Sequence, residues 1–372
     1  MTKGDSLEFE KKFSNEIKYI AILGIGGSSL GAKAIYNFLK PVYKFKRELF
    51  FFETTDPLNI KELESCIDFS KTCFLIISKS GTTLETISLF KYFFNKYPNS
   101  EKFIFITEFD SALSNVSQEL GSLLFEIPKN VEGRFSVLSN AGLVPLILAG
   151  INIQKLLNGA KSVYKSFFDD GYLKDTLLKK ALFFAKNHLT YNTNTLFAYS
   201  KSFQYFVQWY IQLWGESLGK KQKNSILNIG LTPIGLIGPE DQHSFLQLLI
   251  EGMRNKTVTF LKIKEFKQDL IIPNIKFKNL KGFDNSIAFD ELINLQCESI
   301  KEALLSQDDI PVDEIIIDDV SEESIGKLIY YYQLLTSMVG VLINVNTYNQ
   351  PGVEYGKNIL KKKLLNSNKT FN

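Results

Sequence analysis

IKYIAILGIGGSSLGAKAIYNFL, residues 17–39, decides the fold. It reads as a buried strand, a glycine turn and a helix. The apolar run ending at Leu23 is short and shows no polar alternation, as a strand covered on both faces should. Gly24, Gly26 and Gly27 then punctuate it. The same unit recurs downstream. KRELFFFETTDP is a second strand ending at a turn, and TCFLIISKSGTTLETISLFKYFF repeats strand, turn and helix. KFIFITE is a fourth strand, SALSNVSQEL a helix and SLLFEIP a short fifth strand. Short apolar strands alternating with amphipathic helices predict a parallel α/β sheet. Such sheets bind ligands at the carboxyl ends of their strands, where both glycine-containing turns lie.

Further along, VEGRFSVLSNAGLVPLILAGI is a loop into a helix, and residues 154–190 are helical and connecting. The alternation restarts at TNTLFAYS. A strand, the helix Gln204–Lys220, a strand SILNIG, a loop, a helix around QHSFLQLLIEG and a strand KTVTFLKI follow. An irregular stretch through 280 and a helix near 290–306 precede the strand DEIIIDDV. A helix from Ser324 to about Leu342 comes next, and NTYNQPGVEYGKNILKKKLL is a loop into a terminal helix. This predicts a second α/β unit of similar plan, with divisions 1–155, 156–190, 191–345 and 346–372. Residues 1–16 are polar and predict a peripheral helix or arm.

Composition sets the outer bounds. A chain of 372 residues is too long for one ordinary core. Hydrophobic residues make up 45% and charged residues 22%, which excludes a disordered chain. A net charge of +3, spread along the chain, leaves no footprint for nucleic acid. Cys66, Cys73 and Cys297 lack metal spacing and predict reduced thiols in a cytoplasmic protein. With only His188 and His243 present, a histidine-rich metal site is not expected. No apolar run is long enough to span a membrane, and the start has no signal core.

Two loops carry the first chemistry. GIGGSSLG, residues 24–31, follows a strand and opens a helix, where free N–H groups favour an anion. A dinucleotide site, with Glu53 as the ribose-binding acid, fits poorly because Ser29 stands at the third glycine position. SKSGTTLET, residues 78–86, offers Ser78, Lys79, Ser80, Thr82 and Thr83 at another helix start. Hydroxyls and successive N–H groups there suit a phosphate monoester, against the plainer reading of a hydroxyl-capped helix. Arg134, in EGRFS, is either a surface arginine or a cation facing a substrate oxygen. His243 is placed in the first turn of a helix, which keeps its ring usable near neutral pH. Lys357 lies beside glycine turns.

The helix QYFVQWYIQLWGESLGK, residues 204–220, places Gln204, Gln208, Gln212 and Glu216 four apart on one stripe. Its other faces are apolar. Gly219 predicts the helix stop, leaving Glu216 in the last turn as a candidate proton-transferring base.

In order along the chain, GIGGSSLG, SKSGTTLET, GRFSVLS, QLWGESLGK, QHSF and YNQPGVEYGK resemble segments of the phosphoglucose isomerase (glucose-6-phosphate isomerase) family. The resemblance runs from about residue 17 to 357, and YNQPGVEYGK is highly specific. It implies two sugar-isomerase (SIS) type domains, each an α-β-α sandwich with a mainly parallel sheet. It implies interconversion of glucose 6-phosphate and fructose 6-phosphate in glycolysis and gluconeogenesis, through ring opening and a cis-enediolate, without cofactor or metal. By the same resemblance Gly27, Ser28, Ser78, Lys79, Ser80 and Thr83 hold the phosphate, and Gln212 and Gln350 line the sugar site. Glu216 is the base, Arg134 stabilises the enediolate, and His243 and Lys357 assist ring opening. The family's active-site histidine comes from the partner subunit, so a homodimer is implied. One departure stands out: the family usually has a second glycine before GRFS, and here it is Glu132. The competing expectations are a dual phosphoglucose/phosphomannose isomerase and a non-catalytic sugar-phosphate sensor. A sensor should lose the carboxylate, histidine or lysine, and all three are present.

Overall fold

The computed structural model of the protein describes residues 16–169, 171–277, 279 and 286–367. The arm predicted over 1–16 falls outside them except for Glu16. The first sheet holds β1 (Tyr19–Leu23), β2 (Glu48–Phe52), β3 (Thr72–Ile77), β4 (Phe103–Thr107) and β5 (Leu123–Glu126) in the order β2-β1-β3-β4-β5. All pairs are parallel. From β1 the chain moves to one side to make β2, then crosses back to make β3, so the strand order reverses at the β1–β3 seam. Leu23 is in register with Ile76 there, and the loops leaving the two strands open side by side.

Both faces of this sheet are covered, which explains the unbroken apolar runs. On β3, Phe74 and Ile76 join a cluster with Phe52, Phe93, Phe103 and Phe105, while Cys73, Leu75 and Ile77 face the opposite core. Each large side chain buried in this way contributes roughly 1.5–3 kcal/mol.

The second sheet places β6 (Thr193–Tyr199), β9 (Thr232–Ile237), β10 (Lys256–Glu265) and β13 (Val312–Asp319) in the order β13-β10-β6-β9, again all parallel. Short antiparallel pairs, β7 (Lys220–Lys221) with β8 (Asn228–Ile229) and β11 (Ile271–Ile272) with β12 (Ile287–Ala288), lie outside it. The sequence places a sheet strand at SILNIG; the structure corrects this. Only Asn228–Ile229 of that stretch is extended, in the β7–β8 hairpin, and the sheet strand is TPIGLI at 232–237. Pro233 made that segment look like a loop, but β9 is an edge strand, where proline is tolerated.

The helix Gln204–Leu218 follows β6 and packs against the helix Leu30–Leu39 of the first unit. It buries Phe206, Trp209, Leu213 and Trp214 in an apolar core that runs on to Ile20, Ile35 and Phe38. The Phe38 and Phe203 rings meet at 5.2 Å across the junction. The helices Ile153–Phe168 and Glu322–Leu342 touch backbone to backbone. A Cβ at Gly159 would overlap the Glu323 carbonyl, and one at Gly326 the Leu156 carbonyl. Among the described residues no helix is long and apolar enough to cross a membrane.

Candidate active site

Arg134 is the hub. It sits in the short 3-10 helix Gly133–Leu138 and is 2% exposed. Its Nε donates to Ser217 Oγ at 2.7 Å. One terminal nitrogen donates to Gln350 Oε1 at 2.9 Å and faces Glu216 Oε2 at 3.4 Å. The other donates to the carbonyls of Thr347 and Asn349. One planar fork therefore joins the end of the Gln204–Leu218 helix to the segment 347–350, a task a lysine's point charge cannot copy. Burial pulls the guanidinium pKa below its ordinary value, and the charges of Glu216 and Glu132 oppose that pull.

The helix stripe appears as expected. Glu216 lies in the last turn, Gly219 follows the helix end, and the Glu216 side chain keeps 35% of its exposure. Gln212 donates to Glu216 Oε1 at 3.4 Å. The Gln212 carbonyl oxygen is shielded from solvent and meets no donor among the described residues. Gly26 lies under the same amide, where a Cβ would come within 2.8 Å of Nε2.

The glycine turn is held against Arg134 from below. Ser136 Oγ donates to the Gly27 carbonyl at 3.2 Å, and a Cβ on Gly27 would overlap the Gly133 backbone. Ser28 lies half-buried in the 3-10 helix Gly26–Ser28. The next helix starts at Leu30, but Ser29 does not cap it; its hydroxyl donates to Glu53 Oε1 at 2.6 Å. Lys33 also binds Glu53, so this acid is already engaged.

In the second loop Ser78 is buried and its hydroxyl meets that of Thr83 at 2.8 Å. Thr83 stands at the cap of the helix Leu84–Lys96 without bonding it, unlike Ser111 and Asn152, which cap theirs. Both loop helices thus begin with N–H groups that no capping side chain engages, an arrangement suited to an anion. Ser80 is exposed and bonds Thr82 at 3.0 Å. Lys79 Nζ reaches Glu132 Oε1 at 3.0 Å, which ties this loop to the Arg134 turn.

Two predicted residues lie exposed. His243 is exposed at the end of the 3-10 helix Glu240–His243, after β9. It does not lie in the first turn of a helix: the next helix starts only at Leu246, so the helix-terminus argument for its ring does not apply. Lys357 pairs with Glu354 at 2.7 Å on the helix Pro351–Ser367, which is exposed at every described side chain. Sequence reasoning missed Lys220, whose ammonium binds the Asn349 carbonyl. Burial, then the charge of Arg134, pushes its pKa down to about 8, against Glu216 and Glu132. Its spacing of four from Glu216 was the available signal. Lys220 also lines a cavity of about 600 Å³ with residues 221–226, Asn346, Asn349 and Pro351.

A switch-point sheet edge, two helix starts without a capping side chain and a carboxylate held by a buried arginine form the candidate site. The Phosphoglucose isomerase family model matches residues 3–371. Glucose-6-phosphate isomerase of Campylobacter jejuni is 45% identical over 370 residues, covering 98% of this chain and 89% of that protein. The crystal structure of a glucose-6-phosphate isomerase from Chlamydia trachomatis superposes with a TM-score of 0.83 at 25% identity, over 97% of this chain and 73% of that one. Tagatose-6-phosphate ketose/aldose isomerase from Escherichia coli gives 0.56 at 12% identity, over 94% of this chain and 88% of that one, a likeness of fold alone. The chain belongs to the phosphoglucose isomerase family.

Proposed function

We propose that the protein interconverts glucose 6-phosphate and fructose 6-phosphate, with Glu216 as the proton carrier. The observation that carries this reading is the Arg134 fork, which holds Glu216 and Gln350 to one guanidinium at 3.4 and 2.9 Å. The two sugars differ by moving a carbonyl between C1 and C2. A base that takes the C2 proton and returns it at C1 serves both carbons because they are adjacent. The intermediate is a cis-enediolate, whose negative oxygen needs a fixed cation in a dry site. Arg134 is that cation, and its charge is already desolvated and oriented before the substrate arrives.

The phosphate docks at the β1–β3 seam, on the N–H groups and hydroxyls of Gly27, Ser28, Ser78, Ser80 and Thr83, with Lys79 at the rim. Gln212 and Gln350 contact the sugar; the unpaired Gln212 carbonyl supplies an acceptor for a sugar hydroxyl. His243 and Lys357 move the proton for ring opening. His243 reaches the site from the partner subunit of a homodimer in the cytoplasm. The units 1–155, 191–345 and 346–372, joined through 156–190, belong to the same proposal.

The test is a coupled assay on fructose 6-phosphate, repeated with mannose 6-phosphate. Turnover of fructose 6-phosphate alone supports the reading. Comparable turnover of both sugars makes it a dual isomerase, and turnover of neither overturns it.

A further inference from the structure

Glu132 stands at the start of the short 3-10 helix that carries Arg134. Its backbone is extended, with φ −69 and ψ 150, a conformation open to any residue. Glycine is not needed there for the turn, so what matters is the side chain. The Glu132 carboxylate takes the Lys79 ammonium at 3.0 Å, and Glu108 stands 3.6 Å from the same nitrogen. All three side chains are similarly shielded, at 20–23% exposure. Lys79 is fixed from behind, since its carbonyl accepts from the Glu108 N–H at 3.1 Å. The field of Glu132 also reaches Arg134 and Lys220.

We infer that Glu132 is an affinity-determining residue: an internal counter-anion that occupies Lys79 and competes with the substrate's phosphate. The proposal rests on the reading of 78–83 as a phosphate loop. One ammonium between two carboxylates leaves this rim with excess negative charge. An arriving dianion is repelled by both acids, and it gains Lys79 only as Glu132 gives it up. Binding thereby couples the SKSGTT loop to the turn that carries Arg134, because the Lys79–Glu132 pair joins them. The pair is partly exposed, so its rearrangement costs little and does not block binding.

The experiment titrates inorganic phosphate into the full-length protein by calorimetry at fixed ionic strength. Glu132→Gln keeps the shape and an acceptor for Lys79 but removes the charge. It should bind phosphate more tightly, by up to about 5-fold, the range for one charge removed at a partly exposed site. Glu132→Gly, which removes the side chain from an extended position, should shift in the same direction and covers failure of the first variant to fold. Lys79→Met should weaken binding. If Lys79→Met weakens binding while both Glu132 variants bind phosphate equally or less well, Glu132 positions Lys79 instead and the proposal is overturned. If Lys79→Met changes nothing, the phosphate-loop reading falls and takes the proposal with it.

Discussion

Gly27→Ala perturbs the contact that sets Arg134. The Gly27 Cα lies against the Gly133 backbone, with a Cα-to-Cβ reach of 3.9 Å from the other side. An added Cβ would stand 2.6 Å from the Arg134 amide nitrogen, where 3.4 Å is an ordinary contact. The Arg134 turn must therefore retreat by at least about 0.8 Å, and the Gly133 carbonyl by more. No flexible side chain can absorb this, because the atoms on both sides are backbone. Overpacking of this kind costs about 1–3 kcal/mol. A misplacement near 1 Å at a reacting geometry costs on the order of 10–100-fold in rate. Steady-state kinetics of fructose 6-phosphate conversion should show kcat falling by that factor, together with a lowered thermal midpoint. Gly352→Ala, where an added Cβ meets nothing within 4 Å, serves as the control and should leave the midpoint in place. A Gly27→Ala protein with undiminished kcat would refute the claim that this packing positions Arg134.

Two further predictions concern the cations. Arg134→Lys cannot serve Ser217, Gln350 and Thr347 together and leaves some of these acceptors without donors; a loss of about 2–5 kcal/mol in denaturant unfolding and 10²–10³-fold in kcat is expected. The Lys220 ammonium, with its pKa near 8 against the usual 10.5, costs the folded state most below about pH 8. That cost fades as pH rises toward 10.5, so Lys220→Arg should flatten a rise in stability between these values. The same variant should keep the Asn349 contact at high pH and move any loss of activity near pH 8 upward.

The first sheet was legible because its strands are buried on both faces, so runs such as FLII need no alternation to be recognised. Glu216 was legible for a different reason: a four-residue period isolates it on an apolar helix. The second sheet was less so. TPIGLI forms an edge strand whose proline and glycine imitate a loop, and its pairing with β6 is set by tertiary contacts. The Arg134 fork was invisible in the pattern, since its partners lie 82 to 216 positions away. Lys220 escaped notice because nothing local distinguishes a lysine at a helix end from a solvated one; only burial beside Arg134 does. Glu132 was marked as a departure, but its partner Lys79, 53 positions away, emerged only from the fold.

Glu216→Gln provides the most direct test. The substitution keeps the volume and the helix, and removes only the group that can take and return a proton. Isomerisation of fructose 6-phosphate in deuterated water should carry solvent deuterium into the product with the unaltered protein. The variant should lose about 10²–10⁴-fold in turnover and in deuterium incorporation, with inorganic phosphate bound within a few-fold of the parent. Near-parental turnover and deuterium incorporation in a folded Glu216→Gln protein would contradict the assignment of Glu216 as the proton carrier.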